Sequence, residues 1–176
     1  ALVNCRNHGD TIVLDIDEQI ADAMGVEAGS FMTLDEVDEL LGRINEAYPD
    51  RYTIVPQGSS KMSNGGWTWD GLGDISFIGV IEAGQEDYTV QNLLETDSFK
   101  EFTSHTRSWY ENGYMMQDCL SNTETGSSMI RNGKASTCFD NGAYYSDLDY
   151  HNSGIVRVQL TTAKADTTTI SGMCWV

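Results

Sequence analysis

Basic residues are scarce in this sequence. Its 176 residues include 10 Lys and Arg against 27 Asp and Glu, which gives a formal net charge of −17 at pH 7. Such a surplus of negative charge repels phosphate groups, so it argues against nucleic acids, anionic membrane surfaces and polyanionic ligands as partners. The same charge is also typical of a soluble surface whose copies repel one another, without any functional meaning.

Long hydrophobic runs and the common catalytic motifs are missing as well. The sequence has no stretch of about 18 apolar residues, so we expect no segment to span a membrane. It contains no G-x-S-x-G, H-E-x-x-H or phosphate-binding loop. No acid lies in a short apolar or aromatic motif that would raise its pKa and mark it as catalytic. We therefore predict no catalytic residue and no cofactor.

Cysteines are few and lie far apart. The four cysteines form no C-x-x-C or Cys/His cluster, which argues against a zinc site; they are Cys5, Cys119, Cys138 and Cys174. Cys119 and Cys138 are the pair closest in sequence, and a disulfide between them is compatible with an exported protein. Free buried thiols are equally compatible. The first residues show no signal-peptide pattern, and we expect the chain to be a piece of a longer polypeptide.

The strongest structural signal that is present runs from residue 33 to residue 56. Apolar residues recur at intervals of three and four, which predicts a helix with one buried face; they are Leu34, Val37, Leu40, Leu41, Ile44 and Ala47. Thr33 and Glu36 have the spacing of a capping box, and Pro49 ends the helix. Tyr52 to Val55 then reads as a buried strand closed by Pro56. A helix that leads into a strand favours an α/β fold.

Weaker patterns predict the remaining elements of a single globular domain. Asp17 caps a short helix that ends at Gly25, and a helix opened at residues 95–97 ends at Gly113 with Trp109 in the core. The other predicted elements are strands at residues 11–16, 75–82, 88–94, 134–139 and 155–160, the last of alternating character, and a short helix at residues 127–132. One face of the helix that ends at Gly113 is predicted to carry Phe99, Phe102, Thr106, Trp109 and Tyr110.

Two polar, aromatic stretches are candidates for ligand binding. The glycine-rich stretch 57–73 holds Trp67 and Trp69 with Asn64 and Asp70; flat rings stack on sugar faces, while amides and carboxylates bind hydroxyls. Both tryptophans could equally fold inward. Asp140 and Asn141, with Gly142, Tyr144 and Tyr145, follow a predicted strand, and ligands of open α/β sheets bind outside the carboxyl ends of strands. The tyrosines could equally be ordinary surface residues.

No metal site is predicted. Asp15 and Asp17 are close together, but Asp17 is better explained as a helix cap. Residues 147–152 have an acidic spacing loosely similar to a calcium loop, yet they lack its sixth-position glycine and twelfth-position glutamate. His105 has no partner within a helical turn, and we assign it no role.

Several motifs in order resemble one family. TLDEVDELLGRINEAYPDRYTIVP, WDGLGDISFIGVI, VQNLLETDSFKEF, WYENGY and MIRNGKAS are similar to segments of the extracellular (family 1) solute-binding proteins of bacterial carbohydrate ABC transporters, in the oligosaccharide and aldouronate branch. The resemblance implies a type II periplasmic-binding-protein-like α/β lobe with a central mixed sheet flanked by helices. Residues 1–176 would form the second lobe of a two-lobed, non-catalytic receptor that closes on an oligosaccharide.

The same resemblance implies where the receptor works and where its ligand lies. The full-length protein would be extracellular or periplasmic, held by a lipid anchor, and would dock to an ABC permease. Arg6 and Asn7 would lie near the cleft between the lobes, and Trp175 at its floor. Position in the chain and side-chain chemistry together give the predicted ligand-binding residues, which are Arg6, Asn7, Asn64, Trp67, Trp69, Asp70, Asp140, Asn141, Tyr144 and Trp175.

Two other functions are compatible with the sequence. A glycoside hydrolase would use two carboxylates, but with 27 acids present a pair is always available and proves nothing. A ligand-sensing or carbohydrate-binding accessory domain of a regulator or glycan-processing enzyme would have a similar fold and would need an attached module. Turnover of a glycan would indicate the enzyme, and saturable binding without product the receptor.

Overall fold

The computed structural model describes residues 11–57, 69–71, 78–82, 88–142 and 153–160. Within them lie eight strands, four α-helices and one 3-10 helix. In chain order these are β1 (Thr11–Asp17), α1 (Glu18–Met24), β2 (Phe31–Met32), α2 (Leu34–Ala47), β3 (Tyr52–Val55), β4 (Trp69–Gly71), β5 (Gly79–Glu82), β6 (Gln91–Asn92), the 3-10 helix (Leu93–Glu95), α3 (Asp97–Glu111), α4 (Gly126–Arg131), β7 (Ala135–Gly142) and β8 (Ile155–Leu160).

A five-stranded mixed sheet organises the fold. Its strand order is β2-β8-β1-β7-β3. The central strand β1 is antiparallel to both β7 and β8, while β2 is parallel to β8 and β3 is parallel to β7. Four strands therefore run one way and β1 runs the other. The predicted α/β fold with a central mixed sheet flanked by helices is confirmed.

The predicted capping signals form as expected. The Thr33 amide donates to Glu36 Oε2 at 2.7 Å, and the Glu36 amide donates to Thr33 Oγ1 at 3.2 Å. Both partners of the capping box are thus in place at the start of α2, which ends just before Pro49. Asp17 accepts from the amides of the first turn of α1, and Gly25 closes that helix with φ 73°.

The core has two layers because β1 alternates its side chains between the faces of the sheet. Ile12, Leu14 and Ile16 belong to the larger hydrophobic cluster, which includes residues of α2 and α3. Phe139 extends this layer, with its ring centroid 5.7 Å from that of Trp109. On the other face, Cys138 packs with residues of α4 in a second cluster. Trp109 is confirmed as a core residue.

The second, smaller sheet departs from the predicted strands. It has the antiparallel order β4-β5-β6. The predicted strand 88–94 is wrong in extent, because only Gln91 and Asn92 are paired and a 3-10 turn follows. The Asn92 side chain accepts from the Leu94 amide at 3.2 Å, a local bond that competes with strand pairing. Of the predicted strand 75–82, residues 79–82 form β5, Ile78 precedes the strand, and residues 72–77 lie outside the described residues.

Four further predictions need correction. β7 runs to Gly142 instead of ending at residue 139, because β1 pairs with it as far as that residue. The helix α4 begins at Gly126, one residue early, since Thr125 is its cap. The side chains of β8 do not alternate between buried and exposed, because they are covered on both faces of the sheet. Tyr110 is 42% exposed, outside the buried face of α3.

Two findings complete the fold. Cys119 and Cys138 are free thiols, so the structure favours the alternative without a disulfide between them; Cys5 and Cys174 lie outside the described residues. Among the helices that the structure describes, none combines the length and apolar character needed to cross a membrane.

Candidate functional site

The four strands that run in one direction finish at one side of the main sheet, which we call the carboxyl edge. Met32, Val55, Gly142 and Leu160 are their last residues, and the register places Thr11, the start of β1, opposite Gly142. In open α/β sheets, ligands bind in the crevice outside the carboxyl ends of the strands. The carboxyl edge is therefore the candidate ligand site of the fold.

Asp140 lies near this edge, although within β7 and not after it as predicted. It stands opposite Val13 of β1, and its side chain is 18% exposed. Its Oδ2 lies 3.5 Å from Arg157 Nη2. Asn141 is also a strand residue, opposite Ile12. Both predicted site residues are thus consecutive residues of β7, and the structure gives Asp140 a cationic partner that sequence reasoning missed.

Arg157 connects Asp140 to a carboxylate inside the sheet. Its Nε donates to Asp15 Oδ1 at 2.8 Å, and its Nη2 donates to Asp15 Oδ2 at 3.4 Å. Asp15 is fully buried, and Arg157 is 6% exposed. One guanidinium is therefore shared by an inner and an outer carboxylate, both on the same face of neighbouring strands.

Burial raises the pKa of Asp15 to about 6, although the hydrogen bond and charge of Arg157 oppose this shift. The expectation that no acid lies in a pKa-raising apolar motif is therefore wrong, since Asp15 stands between Leu14 and Ile16. The sequence did contain a signal for this pair, because Asp15 and Arg157 are opposite charges that each lie in the middle of an apolar strand. Pairing between β1 and β8 places them side by side.

Two described groups at the sheet have raised pKa values, and both are buried. Asp15 has an unusual pKa but is closed off from solvent. Burial also raises the pKa of the Cys138 thiol well above its usual value, which keeps it protonated and a poor nucleophile. Asp140 is the member of the network that reaches the surface, and an ionised carboxylate accepts hydrogen bonds from hydroxyl groups. Among the described residues, the carboxyl edge therefore offers an oriented acceptor.

The other predicted ligand residues belong to a second sheet or lie outside the described residues. Trp69 and Asp70 belong to β4, where their backbones pair with Glu82 and Ile81, and their side chains lie outside the description. The remaining six candidates fall outside the described residues altogether; they are Arg6, Asn7, Asn64, Trp67, Tyr144 and Trp175. The same holds for Tyr145 and for the acidic stretch 147–152.

A pocket of about 420 Å³ lies at the opposite edge of the sheet. Its lining includes Asp17, Arg51, Arg131 and Gly154. Arg51 Nη1 is 3.0 Å from Asp17 Oδ2, so part of its charge is already compensated. This pocket lies where β1 ends and β3, β7 and β8 begin, away from the carboxyl edge.

Comparison with known proteins defines the class of fold. No protein-family profile matches the chain, and no curated sequence matches it. Among solved structures, the N-glycan transport solute-binding protein NgtS from Streptococcus pneumoniae, in complex with Man1GlcNAc, superposes with a TM-score of 0.73 at 16% identity, covering 93% of this chain and 37% of that one. The chain thus spans about a third of the length of that protein.

Two further solved structures show the same fold more distantly. The alginate-binding protein AlgQ2 matches with a TM-score of 0.54 at 14% identity, over 74% of this chain and 27% of that one. The sugar-binding protein MalE from Xanthomonas citri matches with a TM-score of 0.53 at 13% identity, over 82% of this chain and 34% of that one. The chain therefore has a type II periplasmic-binding-protein-like fold, as the sequence resemblance implied.

Proposed function

We propose that this chain is the second lobe of a two-lobed carbohydrate receptor of an ABC importer, with residues 1–176 as one α/β unit. The observation that carries the proposal is the similarity to NgtS over 93% of this chain. NgtS structures contain Man1GlcNAc and Man5GlcNAc. The unmatched remainder of NgtS is large enough to hold another lobe, which is what a two-lobed receptor requires.

The carboxyl edge is the proposed lobe surface that faces the ligand. Asp140 would accept hydrogen bonds from sugar hydroxyls while Arg157 fixes its orientation. Around it we propose a ring of polar and aromatic contacts from the segments that adjoin the strand ends in sequence; these are Arg6, Asn7, Asn64, Trp67, Trp69, Asp70, Asn141, Tyr144 and Trp175. Aromatic rings would supply stacking platforms and the polar groups would supply direction.

The proposed activity is capture without chemistry. Closure of the two lobes by a hinge motion would exclude water from the ligand, and the closed form would dock to a permease. The full-length protein would work outside the cytoplasmic membrane, held there by a lipid anchor. Because the chain carries a net charge of −17, neutral oligosaccharides are better ligands for it than polyanionic ones.

The test is calorimetric titration of the full-length parent protein with Man1GlcNAc, Man5GlcNAc, neutral plant oligosaccharides and uronate oligosaccharides. We expect saturable binding of a neutral oligosaccharide without product. Asp140→Asn should weaken it about tenfold to a hundredfold, since a hydrogen bond to a charged acceptor is lost. Trp67→Ala should cost about 1–3 kcal/mol, by analogy with base stacking.

The matched control is Asp118→Asn, which removes the same charge from an exposed residue outside β7 and should leave affinity unchanged. The isolated chain should bind more weakly than the parent, since the other lobe would supply half of the proposed cleft. Release of shorter sugars during the titration would favour the hydrolase instead. Absence of binding to every glycan tested would overturn the carbohydrate proposal.

A further inference from the structure

Two carboxylates and an imidazole meet where α2 packs against α3. Asp35 and Asp38 are three residues apart on α2, so they share one face of that helix. His105 of α3 lies opposite them. One potential ligand atom from each of the three residues lies within 4.8 Å of the other two. The cluster belongs to the helical layer and shares no residue with the Asp15–Arg157–Asp140 network.

Asp38 is held in place by two partners on α3. Its Oδ2 lies 2.8 Å from His105 Nδ1, and its other oxygen accepts a hydrogen bond from Trp109 Nε1. Trp109 is 1% exposed, so the indole that orients this carboxylate is fixed by the core. His105 packs beside the same ring, with centroids 6.2 Å apart. Two of the three groups therefore need little ordering before they bind an ion.

The cluster contains more acidic than basic groups. Asp35 makes no hydrogen bond or ion pair with any described residue, and it is exposed in the first turn of α2. Two carboxylates thus face one imidazole in a protein that already carries a net charge of −17. A cation that bridges the three groups would relieve this repulsion and tie α2 to α3.

We propose that Asp35, Asp38 and His105 bind a divalent transition-metal ion of the Zn²⁺ type. One imidazole nitrogen with two carboxylate oxygens is a ligand set that suits Zn²⁺ and its neighbours, with water in the remaining position. Calcium and magnesium are disfavoured because they need mostly oxygen ligands. The sequence pattern predicts no metal here because His105 and Asp38 are 67 residues apart in the chain. The proposal does not depend on carbohydrate binding.

The test uses the 176-residue chain without an affinity tag, stripped with EDTA and dialysed. Titration with ZnCl₂ should show saturable one-to-one binding, and added Zn²⁺ should raise the Tm, because a ligand of the folded state stabilises it. CaCl₂ at the same concentration should give a much smaller shift. Asp35→Asn should weaken Zn²⁺ binding about tenfold or more, since even outer-shell partners of a metal contribute that much.

The matched control is Glu39→Gln, which removes one charge from an exposed position of the same helix outside the cluster. It should bind Zn²⁺ like the unmodified chain. His105→Gln is a second ligand variant, and circular dichroism establishes that each variant is folded before titration. If His105→Gln does not fold, the comparison of Asp35→Asn with Glu39→Gln is sufficient to test the proposal.

Three results would overturn the proposal. Binding that does not saturate at one ion would indicate loose association with acidic residues. Equal losses in Asp35→Asn and Glu39→Gln would indicate an effect of net charge. Unchanged binding in Asp35→Asn would place the ion on other groups of the chain, such as His8, His151 or the cysteines.

Discussion

Asp15 is the residue whose environment departs most from what its position suggested. In the folded chain, burial raises its pKa from 3.8 to about 6. Between those values the folded state binds a proton that the unfolded state does not. Protonation therefore favours folding, and the contribution of Asp15 to stability increases as the pH falls from about 7 to about 4. The difference between the two pKa values corresponds to roughly 2–3 kcal/mol in the free energy of unfolding.

The variant Asp15→Asn removes this titration while it keeps an acceptor for Arg157. Urea unfolding across that pH range should show that the unmodified chain gains roughly 2–3 kcal/mol over Asp15→Asn towards the acidic end. Asp118→Asn, at an exposed position, should show no such change relative to the unmodified chain. A flat difference curve would mean that the pKa of Asp15 is the same in the folded and unfolded chain, so that the Arg157 guanidinium fully offsets the effect of burial.

Residues with local partners were predictable, and residues with distant ones were not. The capping box of Thr33 and Glu36 lies within one helical turn, so its spacing alone specifies the bonds. Arg157 and Asp15 are separated by 142 positions, and only the pairing of β1 with β8 brings them together. The same reason hides the contact of His105 with Asp38. Asp140 was predicted to follow β7 and instead lies within it, and its contact with Arg157 depends on the same long-range pairing.

At the scale of elements, α4 docks on the sheet through a glycine. A Cβ added at Gly126 would lie 2.5 Å from Cys138 Cβ and 2.7 Å from its Sγ. Cys138 is a fully buried strand residue, so its Cβ cannot move without its backbone. Gly126→Ala should therefore push α4 away from β7 and destabilise the chain by about 1–3 kcal/mol, the usual cost of overpacking a core. Chemical denaturation measures this loss.

Gly42→Ala is the matched control, since it makes the same change inside α2. There the added Cβ would meet only Tyr114 Oη at 3.4 Å. Alanine is the better helix former, so this variant should gain about 0.5–1 kcal/mol. Opposite signs for the two substitutions are the expected result. A loss in neither variant would show that α4 can shift on the sheet without cost.

Element boundaries were harder to predict than the elements themselves. α1, α2 and β3 carry their own stop and start signals in Asp17, Gly25, Pro49 and Pro56. The end of β7 has no such signal, because the strand continues for as long as β1 supplies pairing partners. β6 is shorter than the predicted strand 88–94 for the opposite reason. The Asn92 side chain bonds to the Leu94 amide, and the chain continues as a 3-10 helix.

For the whole molecule, the surplus of acidic residues acts on stability. Several of the basic side chains already sit in ion pairs, as in Arg51–Asp17, Arg107–Glu111, Lys134–Glu124 and Arg157–Asp15. Most of the 27 acids therefore have no cation to offset them. Folding brings these like charges closer together, which opposes the compact state. Salt screens such repulsion with a Debye length of about 10 Å at 0.1 M.

We therefore expect the Tm at pH 7 to rise with ionic strength. Between about 10 mM and about 150 mM NaCl, a gain of about 1 kcal/mol would correspond to roughly 2–4 °C for a chain of this size. The measurement is differential scanning calorimetry with EDTA present, so that a bound transition metal cannot imitate screening. Choline chloride should act as NaCl does, because screening depends on ionic strength and not on the identity of the cation. A Tm that stays constant or falls would mean that ion pairs such as Lys134–Glu124 contribute more to stability than the excess acids remove.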